Sequence, residues 1–155
     1  MKFNTKKLIS KLIVIFVLLF LLYFASSKIL KFQDKLEKVC IEKKTCFEIE
    51  VADTSEKRIS GLSNREFLEE NKGMLFVFPE ESMPGFWMKD MKFSIDIIWI
   101  NKNLEIIKID KNQLPCGENT CVILHPVSNI LYVLEINSGL SEKHGFEIGN
   151  RISLN

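Results

Sequence analysis

Two carboxylates sit where the residue pattern leaves little room for water. In "FSIDIIWI" (93–100), alternation sends Phe93, Ile95, Ile97 and Trp99 one way and Ser94, Asp96, Ile98 and Ile100 the other. Both sides are mainly apolar, so Asp96 is expected to be at least half buried. Glu135 poses the same problem in "LYVLEI", where it shares a face with Leu131 and Val133. A buried carboxylate must be paired, be hydrogen-bonded or give up its charge. Arg58, Arg65 and Lys89 are the candidate partners. Together with Trp87 and Met88 these residues could line a groove with an aromatic wall and a few convergent polar groups. The plainer alternative is a structural ion pair that holds a short helix on a sheet.

Two other chemistries use the same region. Asp96 and Glu135 as an acid–base pair would suit a carboxylate-based hydrolase, since two carboxylates flanking one bond is a mechanism of glycoside hydrolysis. Met83, Met88 and Met91 lie close together in "MPGFWMKDM", and Met74 and His125 could join them. Thioethers are soft ligands that suit Cu(I), although Met is also an ordinary filler of irregular core gaps. The remaining signatures are missing. There is no Gly-x-Ser-x-Gly elbow, no phosphate-cradling Gly-rich loop and no His-Glu-x-x-His. His125 and His144 are the only histidines, and an isolated histidine is usually solvated and idle. With a formal net charge of +1 and far more Lys than Arg, the chain offers no basic face for nucleic acid.

The four cysteines form two close pairs, "CIEKKTC" (Cys40, Cys46) and "CGENTC" (Cys116, Cys121). Four cysteines allow three pairings, and proximity favours Cys40–Cys46 and Cys116–Cys121. A zinc site would use tighter ligand spacing, and a redox motif would need Cys-x-x-Cys, which is absent.

Positioning these residues requires a frame of short strands. "VCIEKKTCF" reads as a hairpin with Cys40 opposite Cys46 and Glu42-Lys43-Lys44 as its loop. "CFEIEVA" alternates strictly and is a strand with one wet face. Asp53 is expected to cap a short helix, "SEKRIS", with Glu56 completing a capping box and Gly61 ending it. "REFLEE" offers a further helical turn. "GMLFVFP" reads as a buried strand ended by Pro79. "KFSIDIIWIN" and "LEIIKI" form a hairpin, "ILYVLEI" is another strand, "SGLSEKHG" a turn or two of helix, and "GNRISLN" a last strand. The expected fold is mainly β with minor α: a compact, mostly antiparallel barrel or sandwich of about seven short strands with one or two short helices.

Before this domain comes an apolar segment. Residues 1–7 are basic, residues 8–27 are long enough as a helix to cross a bilayer, and residues 28–38 read as an amphipathic juxtamembrane stalk. The lysines at the start place the N-terminus in the cytoplasm and residues 39–155 outside, in a single-pass anchor. The alternative is a signal peptide cleaved near Ala25 and Ser27, giving a secreted protein. Either compartment is oxidising and suits disulfides.

The segments "VADTSEKRISGLSNREFLEENKGMLFVF", "FWMKDMKFSIDIIWI", "PCGENTC", "YVLEINSG" and "IGNRI" resemble, in order, the uncharacterised family catalogued as domain of unknown function 192. Matching positions include Arg58, Gly61, Leu62, Arg65, Gly73, Met74, Phe76, Phe86, Trp87, Met88, Lys89, Asp96, Cys116, Cys121 and Glu135. Departures from the family pattern fall at Ser63, Asp90, Met91, Ser94, Ile95, Val122 and Asn150. The resemblance implies a small, mainly β, often exported domain and supplies no activity. The resulting expectation is a membrane-anchored, extracytoplasmic module, non-catalytic and without a cofactor, that binds a small ligand or a cell-surface protein. A Cu(I)-handling domain and a hydrolase are the alternatives.

Overall fold

Seven strands form one sheet, and their burial explains why it curls. The computed structural model describes Phe16, Val17, Phe20 and residues 37–117 and 121–155. The strands are β1 (Lys38–Ile41), β2 (Thr45–Ala52), β3 (Lys72–Ser82), β4 (Ile95–Ile100), β5 (Ile106–Gln113), β6 (Ile130–Asn137) and β7 (Ile152–Leu154). Their order across the sheet is β5-β4-β6-β3-β2-β1-β7. All pairings are antiparallel except β2 with β3. Parallel neighbours cannot be joined by a tight turn. Residues 53–71 make the crossover and carry α1 (Ser55–Ser60).

The result is a curled half-barrel whose two outermost strands touch at one end. The Ile106 N–H donates to the Asn150 carbonyl and the Ile152 N–H to the Leu104 carbonyl, both at 2.9 Å. The concave face encloses Val39, Ile41, Phe47, Leu75, Ile98, Ile100, Leu134, Ile136 and Phe146. On the other face of the central strands a second apolar layer gathers Met74, Phe76, Ile95, Ile97, Trp99 and Val133. Loop residues Leu62, Met88 and Met91 cover it. β4 is therefore buried along its whole length. At roughly 1.5–3 kcal/mol for each large apolar side chain removed from water, that strand anchors both layers.

The β1–β2 hairpin has the expected register, with Cys40 opposite Cys46. Glu42 and Lys43 supply the positive φ values, 51° and 55°, that a loop without glycine still needs. Four local expectations are corrected. β3 continues through Pro79 to Ser82, and the missing proline N–H is accommodated by a register shift against β6 between Val77 and Ser82. The N-cap of α1 is Thr54, whose side chain accepts from the Lys57 N–H, while Asp53 pairs with the Lys57 ammonium at 2.8 Å. "REFLEE" forms no helix. Lys38, expected in the stalk, belongs to β1. The second helix, α2 (Leu140–Lys143), is a single turn.

The chain divides into two units, Met1–Lys35 and Leu36–Asn155, and the fold above is the second. Of the first, Phe16, Val17 and Phe20 are described, and they are helical. The expected span at 8–27 otherwise lies outside the described residues, as does the stalk over 28–36. Among the described residues no helix is long and apolar enough to cross a membrane.

Candidate functional site

On the face of the sheet away from the barrel interior, β3 presents Met74, Phe76 and Phe78 in a row, because alternate residues share a face. Glu135 on β6 stands directly across from Met74 on one side and Ile97 of β4 on the other. The end of α1 and the loop over 84–91 do not close over this row completely. Between them lies a cavity of about 290 Å³, lined by Phe76, Phe78, Phe86, Trp87, Arg58 and Glu135, with Leu62 and Met91 also in its walls. Phe86 packs edge-on against Phe76 at 4.9 Å between ring centroids and against Trp99 at 5.3 Å. Such T-shaped contacts fix the ring orientations, so the aromatic wall is preformed.

Glu135 is 6% exposed. Its carboxyl has no hydrogen-bond partner among the described residues. Burial pushes its pKa up to about 8, against a smaller opposing pull from the Arg65 guanidinium. At neutral pH the group is mainly the uncharged acid, with one O–H to donate and a carbonyl oxygen to accept.

Arg58 forms the other polar end of the cavity. Its guanidinium donates to the Asp53 carbonyl at 2.7 Å and to the Val77 carbonyl at 2.9 Å, and lies 5.4 Å from the Phe78 ring centre. Among the described residues it has no carboxylate partner. Gly61, just past α1, has φ +47°, and a Cβ there would lie 3.3 Å from the Phe76 ring. Glycine thus serves both the helix exit and the close approach of α1 to the aromatic wall. At Gly85 a Cβ would meet Ile123 at 2.7 Å, so the 84–87 wall runs hard against the 121–127 segment.

Of the seven residues singled out from the sequence, Arg58, Trp87 and Glu135 line this cavity and four do not. Trp87 is 51% exposed, so its indole is both wall and mouth. Arg65 makes a two-pronged ion pair with Glu50 at 2.5 and 2.8 Å and reaches Glu135 only through its field. Lys89 is exposed, and Met88 is buried in the apolar layer. Asp96 lies outside the cavity and makes structural bonds instead. Fully buried on the barrel-interior face, it accepts from the backbone N–H groups of Asn112 (2.8 Å), Ser141 (2.9 Å) and Gly139 (3.2 Å). It thereby ties α2 and the end of β5 to β4.

That placement also separates the proposed acid–base pair. Asp96 and Glu135 project from opposite faces of the sheet and cannot flank one bond. Of the methionines, Met74, Met88 and Met91 pack in the same apolar layer, Met83 is 51% exposed, and Met91 alone lines the cavity. His125 is exposed and His144 stacks on Phe146.

Both disulfides, Cys40–Cys46 and Cys116–Cys121, are formed. The second has a part in the site. The Cys116 N–H donates to the Met88 carbonyl at 3.3 Å, and Phe86 and Leu124 exchange backbone bonds of 2.9 and 2.7 Å. The bridged loop therefore braces the strip that carries Phe86 and Trp87. Sequence reading did not place Phe76, Phe78, Phe86 and Leu62 in a site. The signal for Phe76 and Phe78 was that "GMLFVFP" is apolar on both faces, which demands a second covering layer, and Leu62, Phe76 and Phe86 were marked only by their match to the family pattern.

No curated protein matches the chain. Two solved structures do. A protein of unknown function from Novosphingobium aromaticivorans DSM 12444 is 29% identical, with a TM-score of 0.69 over 75% of this chain and 83% of its own. A protein from Sinorhizobium meliloti 1021, described as a candidate transcription regulator, is 28% identical, with a TM-score of 0.70 over 76% of this chain and 92% of its own. The family model that matches spans residues 37–154, which covers every strand and both helices described above. The chain belongs to the DUF192 family, an uncharacterized ACR.

Proposed function

We propose that the domain is a non-catalytic module that binds a small organic ligand in the cavity over β3 and β6. One observation carries this reading: a preformed aromatic cavity holds at its floor a largely buried residue, Glu135, whose carboxyl opens to the cavity and makes no hydrogen bond among the described residues. Perturbed acids of this kind in a cleft are where function concentrates, because a ligand can supply the missing partner. Half-exposed Trp87 gives that ligand a flat surface at the mouth. With Asp96 on the far face, the hydrolase alternative has no second acid. With Met83 51% exposed and Met74, Met88 and Met91 packed as part of the apolar layer, the Cu(I) alternative has less to support it.

The module is held outside the cytoplasm by the apolar segment 8–27. The lysines around its start and the pairing of all four cysteines support that placement. Nucleic acid is not its partner, since a net charge of +1 gives no basic stripe. The regulator description of the Sinorhizobium meliloti protein is accordingly not carried over.

The test is a thermal-shift screen of the full-length chain in detergent micelles against small organic acids, amides and amines, repeated on Trp87→Ala. Ligands that raise the midpoint of the wild type and not of the variant support the cavity. A library without hits, or hits indifferent to Trp87→Ala, sinks it. Protease added to sealed right-side-out membrane vesicles should digest the domain, and protection would overturn the topology.

A further inference from the structure

The two polar ends of the cavity are chemically different and separated along β3. Glu135 stands opposite Met74, whereas Arg58 donates to the carbonyl of Val77 three residues further along the strand. At about 3.3 Å per residue the two ends lie ~10 Å apart, with Phe76 between them. Arg58 is anchored through one terminal nitrogen, which serves both the Asp53 and Val77 carbonyls, and its other terminal nitrogen has only the Ser55 hydroxyl at 3.5 Å. It makes no ion pair among the described residues, although the Asp53 and Glu56 carboxylates lie within its field, and guanidinium donors remain for an oxyanion. The charged groups near Glu135 are Arg65 and, across the cavity, Arg58. Met74 and Ile97 beside it on β3 and β4 carry no charge, nor do Phe86, Trp87 and Met91 from the covering loop.

We infer that the ligand is an elongated organic anion with an aromatic or aliphatic body, whose charged end meets Arg58 and whose far end offers an oxygen to Glu135. This rests on the cavity being a binding site and adds the ligand's class and orientation. A cation is disfavoured at the Arg58 end by the guanidinium charge. A wholly apolar molecule would leave both polar ends unsatisfied.

The probes are 3-(4-hydroxyphenyl)propanoate, its primary amide, 3-phenylpropanoate and tyramine, titrated calorimetrically into the full-length chain in detergent micelles. The anion should bind about tenfold or more tightly than the amide, the discrimination expected of a charge-assisted hydrogen bond. Arg58→Gln should abolish that preference and Arg58→Lys should keep part of it, which separates charge recognition from loss of the fold. Removing the phenol oxygen should weaken binding to the wild type and leave Glu135→Leu unaffected. Tyramine binding more tightly than the acid, or acid and amide binding equally, overturns the anion assignment and leaves the cavity standing. Failure of all four probes on the wild type, or binding undiminished in Trp87→Ala, overturns both.

Discussion

Asp96 and Glu135 lie one register step apart on neighbouring strands, yet their side chains leave opposite faces of the same sheet. Asp96 is paired with Ile136, and Glu135 with Ile97. That single step gives two buried acids opposite environments. Asp96 meets three backbone N–H groups at the end of the barrel interior, and Glu135 meets an aromatic cavity with none.

Replacing Asp96 with Ala should be among the most damaging single changes. Three N–H groups, one buried and two partly buried, would lose their acceptor, and about 3 kcal/mol of stability should go with it. Urea unfolding checks the magnitude. Hydrogen exchange should show the Ser141 amide losing protection before the centres of β3 and β6. Unchanged stability would mean that α2 is held by something else.

Glu135→Gln should act in the opposite direction, and its effect depends on pH. The folded-state pKa of Glu135 is raised from 4.5 to about 8, so between those values the folded chain holds a proton that the unfolded chain has released. Stability of the wild type relative to the variant therefore falls as pH rises from 4.5 towards 8, by about 3 kcal/mol at pH 7. Below pH 4.5 the difference should be flat. Paired denaturation curves from pH 4 to 9 measure it, and a difference independent of pH would contradict the raised pKa.

Arg65 is the lever on that pKa. Its field holds Glu135 lower than burial alone would, while its own charge is shared with Glu50. Arg65→Met should move the Glu135 midpoint above about 8, and Glu50→Gln, which frees the guanidinium, should move it down. Carbon-13 NMR of the side-chain carboxyl reads both. Equal shifts in one direction would show that Arg65 acts through packing.

Gly73→Ala tests the backbone beneath the site. A Cβ at Gly73 would lie 2.8 Å from the Glu135 carbonyl oxygen and 3.1 Å from Ile136. β3 and β6 would have to part, at a cost of about 2 kcal/mol. Thermal unfolding gives the cost, and the Glu135 carboxyl resonance should shift with it.

The two disulfides should separate by effect. Cys40–Cys46 and Cys116–Cys121 close loops with sequence separations of 6 and 5, each worth about 2 kcal/mol by chain entropy. Cys40→Ser/Cys46→Ser should lower stability and spare ligand binding. Cys116→Ser/Cys121→Ser should also weaken binding, because that loop braces the Phe86–Trp87 strip. Calorimetry on both double variants distinguishes the outcomes, and identical binding losses would contradict the bracing.

The sequence by itself determined most of the strands, the Cys40–Cys46 register and the burial of both acids. Period-two alternation sets which residues share a face, and that is a local property of the chain. "FSIDIIWI" already assigned Asp96 and Trp99 to different faces, and "CIEKKTC" already placed Cys40 across from Cys46. Local pattern could not say which strands would be neighbours. The β6–β4 and β6–β3 pairings join segments far apart in the chain, and only they show that Glu135 faces the same side as Phe76 while Asp96 faces the other. Nor could it show that the strip 84–87, α1 and the Cys116–Cys121 loop would meet over that face and leave a cavity. Arg58, Trp87 and Glu135 were legible as polar or aromatic residues needing an explanation. Their convergence, and the exclusion of Lys89 and Arg65 from the cavity, depends on how the sheet curls and which loops cover it, and was decided by long-range packing.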